Sequence, residues 1–89
     1  MMYDDFQYKV DSLMNDIKAL KKAKKYKEAD IKHLELIYLK IDYYQSGVTA
    51  SVEGGRRPNK SYQESLDCAL REIGNWRDYL YETYQYEEN

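Results

Sequence analysis

One histidine and one cysteine supply all the imidazole and thiol chemistry in these 89 residues. His33 has Asp30 one helical turn before it and no other ligand type at chelating spacing. Zinc needs three or four protein ligands, so this pair makes no metal centre, and His33 is expected on the flank of a helix. Cys68 projects about 140° from the apolar stripe of its helix, on the side of Asn75, Tyr79 and Tyr86. A nucleophilic thiolate needs a base or a cationic setting, and Asp67 beside it works against one. Asp4/Asp5, Glu64/Asp67 and Glu87/Glu88 are carboxylate pairs, but acid–base work needs one carboxyl desolvated in a cleft. Gly54-Gly55 has neither the spacing nor the GK[ST] ending of a phosphate loop. No enzyme, cofactor or metal is expected from this inventory.

Two residue classes point to binding instead. Residues 18–33 carry seven Lys against Glu28 and Asp30, while residues 61–89 carry seven acids against Arg71 and Arg77. Lys21, Lys22, Lys24 and Lys25, helped by Arg56, Arg57 and Lys60, form the candidate nucleic-acid surface, since phosphate attraction needs clustered cations. Against it stand the net charge of −2 and the scarcity of Arg, Asn and Gln that base reading favours. The eleven tyrosines are the second class. Tyr3, Tyr38, Tyr44, Tyr62 and Tyr84 fall on core stripes, whereas Tyr8, Tyr43, Tyr79, Tyr81 and Tyr86 do not. An exposed Tyr ring buries much area at low entropy cost, which suits contact surfaces. Tyr79, Tyr81, Tyr86, Arg56 and Arg57 are therefore the candidate protein-binding residues. Residues 78–89 hold four Tyr and four acids without a base, a composition suited to a basic protein surface.

These residues must be positioned by a short chain. A single domain is expected at this length, with modest stability and a core that a partner could extend. No apolar run nears the roughly 18 residues of a membrane span, and Asp4-Asp5 makes the start too acidic for a secretory signal, so a cytoplasmic protein is expected.

The apolar spacing predicts an all-α fold, a small three-helix bundle. Tyr3, Phe6, Val10, Leu13, Met14, Ile17 and Leu20 form one stripe over residues 4–23. A break near Lys24-Lys25-Tyr26 gives a hairpin in preference to one long helix. The second helix, residues 27–45, has one stripe of Ile31, Leu34, Ile37, Tyr38, Ile41 and Tyr44. Leu36, Leu39 and Tyr43 project from the other side, which places this helix between the other two or at a dimer seam. Gly47 is expected to end it, followed by a long loop over residues 46–60. Ser61 and Glu64 read as a capping box opening a third helix, residues 61–86. Its stripe is Tyr62, Leu66, Ala69, Leu70, Ile73, Trp76, Leu80 and Tyr84.

Residues 34–80, with Tyr43-Tyr44-Gln45-Ser46-Gly47, Gly54-Gly55, Pro58-Asn59-Lys60-Ser61 and then Leu66, Leu70 and Ile73, resemble the N-terminal helical hairpin of ArpU-type phage late-transcription regulators. The family's helix-turn-helix has no counterpart in these residues, so no DNA-reading position is carried over. The resemblance implies an accessory protein of a phage or mobile element in a low-GC Gram-positive bacterium. By analogy with small acidic phage proteins, it implies binding to a host protein, as anti-CRISPR inhibitors and RNA polymerase modulators do. The alternative is a nucleic-acid-binding regulator using residues 18–27 and the Arg56/Arg57 loop.

Overall fold

The computed structural model describes residues 3–55, 57 and 59–87. It consists of α1 (Tyr3–Lys22), α2 (Tyr26–Glu53) and α3 (Lys60–Tyr84). Each helix runs antiparallel to the next. Helix α2 packs along both α1 and α3, which do not pack on each other among the described residues. Its 28 residues, at about 1.5 Å each, set the 48 Å long axis of the molecule.

Helix α1 carries Asp4 and Asp5 in its first turn and Lys21 and Lys22 in its last, as the helix dipole favours. It stops where expected. Lys24 takes a left-handed conformation (φ 62°), and the Lys25 amide reaches back to the Leu20 carbonyl at 2.8 Å. This six-to-one bond closes the helix end and starts the hairpin. Ile17, Ala29 and Leu36 form a buried cluster against which Val10, Leu13 and Leu20 pack. Leu36, a candidate for a dimer seam, is 4% exposed and is thus covered by α1 within the chain. Tyr43, a second, stacks on Phe6 with ring centroids 4.0 Å apart.

The long loop over residues 46–60 is not present. Helix α2 continues eight residues past Gln45, to Glu53, leaving residues 54–59 as the connection. Gly47 lies inside the helix because α3 comes close to it: a Cβ there would stand 2.9 Å from Cδ2 of Tyr62. Its lost propensity is offset by this approach. Gly55, at φ 74°, supplies the left-handed turn that Gly47 was expected to make.

The cap of α3 also differs from the expectation. Asn59, not Ser61, is the N-cap, its Oδ1 accepting from the amides of Ser61 at 2.9 Å and Tyr62 at 3.2 Å. Glu64, freed from a capping box, lies 3.9 Å from Lys60. The helix ends at Tyr84 rather than residue 86. Gln85 turns left-handed (φ 55°) while the Tyr86 amide bonds to the Leu80 carbonyl at 3.3 Å. Tyr3, Met14 and Leu70 lie on predicted stripes yet are about half exposed or more (62%, 45% and 49%), because the stripes are wider than the strip each helix presents to α2.

Gly47 and Gly74 make opposite predictions. Nothing lies within 4 Å of a Cβ built on Gly74, so Gly74→Ala should stabilise the protein by about 0.5–1 kcal/mol through helix propensity alone. Gly47→Val should cost about 1–3 kcal/mol by pushing the Tyr62 ring aside. Urea midpoints at constant m-value measure both. A Gly47→Val protein as stable as the parent would contradict the packing described.

Candidate functional site

Asp30 sits on the apolar stripe of α2, four residues before Leu34 and seven before Ile37, so it faces α3. By sequence it is a neighbour of His33 and one of two acids among the lysines of residues 18–33. In the structure it joins the two helices. Its Oδ2 accepts hydrogen bonds from the hydroxyls of Tyr84 at 2.8 Å and Tyr79 at 3.1 Å. Its backbone carbonyl accepts from Trp76 Nε1 at 2.9 Å. The rings pack around this point, with Trp76 4.9 Å from Tyr79 and 4.3 Å from His33. His33 Nε2 lies 3.4 Å from Glu72, an ion pair when the imidazole is protonated. The Tyr84 hydroxyl is held protonated well above its ordinary range, first by its bond to Asp30, then by burial and the carboxylate's charge.

This clasp separates the three tyrosines expected to act together. Tyr79 is spent on Asp30. Tyr81 and Tyr86 instead line a groove of about 460 Å³ on the other flank of α3, floored by Leu34 and Leu80 and edged by Arg77, Asp78 and Glu87. Tyr86 reaches it because the left-handed Gln85 turns the chain back there. Arg57 is exposed in the α2–α3 connection, and Arg56 lies outside the described residues. The connection joins the end of α2 to the start of α3, the opposite end of both helices from the Asp30 clasp, so Arg57 does not join Tyr81 and Tyr86.

Lys21, Lys22, Lys24 and Lys25 are all exposed around the α1–α2 turn. The acidic end of α3 comes to the same end of the molecule, since Tyr84 reaches Asp30 just beyond that turn. Cys68 is exposed, with Arg71 Nη2 3.5 Å from its sulfur. Among the described residues no three His, Cys, Asp or Glu side chains gather closely enough to hold a metal ion. No helix of the described residues is long and apolar enough to cross a membrane.

At the far end of α2, Phe6, Tyr43, Tyr44 and Tyr62 form an aromatic cluster. The hydroxyls of Tyr43 and Tyr62 lie 3.4 Å apart. Tyr43 is pushed up to about 12, chiefly by that hydrogen bond and then by burial. Tyr43 was expected off the core, while Tyr38, expected on it, is 41% exposed. No family model, curated protein or solved structure matches the chain.

Tyr43 and Tyr84 bind their protons more tightly folded than unfolded, where tyrosine titrates near 10. Their contribution to stability is therefore complete below about pH 9, where unfolded tyrosine is still protonated, and is lost as pH rises through the folded values. Urea midpoints should fall between about pH 9 and about pH 11.5, and Tyr84→Phe should reduce that fall. A midpoint independent of pH across this range would contradict the two bonds. At neutral pH, Asp30→Ala should cost about 1–2 kcal/mol, by leaving two hydroxyls without their acceptor.

Proposed function

We propose that the chain is a small non-enzymatic accessory protein of a phage or mobile element that binds a host protein and modulates or inhibits it. The observation that carries this reading is the groove between α2 and α3. Two tyrosines, Tyr81 and Tyr86, stand over a floor of Leu34 and Leu80. Tyr81 is 53% exposed, although the helix bearing it is fixed to α2 by the Asp30 clasp. A rigid platform presenting aromatic rings loses little entropy on binding and can concentrate affinity in few residues. Asp78 and Glu87 outnumber Arg77 along the edge, so the partner surface that fits is basic. Such a surface includes one that otherwise holds nucleic acid. An inhibitor of this kind acts by occupation and needs no chemistry of its own.

A nucleic-acid-binding regulator is the second reading, favoured by one observation. Lys21, Lys22, Lys24 and Lys25 are exposed around a single turn, and none forms a salt bridge among the described residues. The acidic end of α3 stands at the same end and repels phosphate, which ranks this reading below the first.

The experiment is capture of host proteins from a nuclease-treated Gram-positive lysate, followed by affinity measurement on the protein retained. Tyr81→Ala with Tyr86→Ala should weaken that complex by about tenfold or more, with far-UV circular dichroism unchanged. Unchanged affinity would remove the groove from the interface. Capture lost with the nucleic acid, and an affinity falling steeply with salt, would favour the lysine turn.

A further inference from the structure

A second groove, of about 690 Å³, runs between α1 and α2 and shares no lining residue with the Tyr81 groove. Leu13, Leu39 and Ile41 line it and are each only partly buried, and Tyr8, on the α1 side, is 75% exposed. This surface is mainly apolar, yet neither α3 nor the connection covers it. The charges beside it differ between the two sides. Lys9 stands on the α1 side, whereas Glu35 and Asp42 stand on the α2 side. Because Phe6 stacks on Tyr43, Lys9 and Asp42 lie within a turn of the same level along the paired helices.

We infer that this groove is the contact surface for a second copy of the chain. A two-fold axis along the groove lays α1 of each copy antiparallel over α2 of the other. This puts Lys9 of each copy opposite Asp42 of the other and buries Tyr8 and Leu39 from both sides. An isologous interface requires a patch that complements itself, and a positive side facing a negative side meets that requirement. The four helices brought together form an antiparallel four-helix arrangement, with each α3 and its Tyr81 groove left outside. The contact differs from the seam of Leu36, Leu39 and Tyr43 expected from sequence: Leu36 is buried against α1 and Tyr43 packs on Phe6 and Tyr62, whereas Leu39 lines the groove.

Sedimentation equilibrium of the full chain tests this. The parent should show dimer mass at about 100 µM and dissociate on dilution. Tyr8→Glu, at a position too exposed to disturb the fold, should give a monomer of unchanged helicity. Lys9→Asp should weaken the dimer by about tenfold, since two symmetric pairs are lost, and Lys9→Asp with Asp42→Lys should restore it. A parent that stays monomeric at about 100 µM would overturn the inference. So would a dimer insensitive to Tyr8→Glu, or a charge reversal that fails to rescue.

Discussion

Helix α2 has to satisfy two neighbours that do not touch each other. Toward α1 it offers Ala29 and Leu36, toward α3 Leu34 and Ile37, and all four are buried. Neither outer helix can close a core without it. Among the described residues, Ile37 on α2 and Leu80 on α3 are the large side chains fully closed to solvent. Burial of a large aliphatic side chain is worth about 1.5–3 kcal/mol, and these positions carry much of what the fold can gather. Because α2 leaves each outer helix packed along one strip only, Tyr3 and Tyr8 on α1 and Tyr79 and Tyr81 on α3 stand exposed.

The α2–α3 contact is fixed at both ends by different chemistry. At one end a carboxylate and a carbonyl of Asp30 gather Trp76, Tyr79 and Tyr84. At the other, Gly47 lets the Tyr62 ring approach the α2 backbone, and Tyr43 and Tyr44 pack beside it. The first end lies beside the point where α3 stops and Gln85 turns left-handed. The Gln85 turn brings Tyr86 back over Leu34 and Leu80, so the groove proposed for binding lies directly behind the clasp on the same helix end. Structure and proposed function therefore share one cause: the register of α3 on α2.

The three helices, the break at Lys24 and the double apolar character of α2 were legible in spacing, because periodicity reports directly which side chains share a face. The end of α2 was not. A glycine that terminates a helix and one that admits a neighbouring ring look alike in sequence, and only Tyr62 distinguishes them. The cap of α3 was ambiguous for a related reason, since Asn and Ser cap about equally well and stand two residues apart. Asp30 carried a visible signal, an acid at the 30, 34, 37 spacing of an apolar stripe, which the nearby lysines obscured. Tyr79 stands apart from Tyr81 and Tyr86 because residues two apart on a helix point to different flanks.

Native-state hydrogen exchange tests the central role of α2 most directly. If both outer helices depend on it, the amides of residues 34–37 exchange slowest, by global unfolding alone, while α1 and α3 open at lower free energies. Slowest exchange in α1 or α3, with α2 opening before them, would contradict the account.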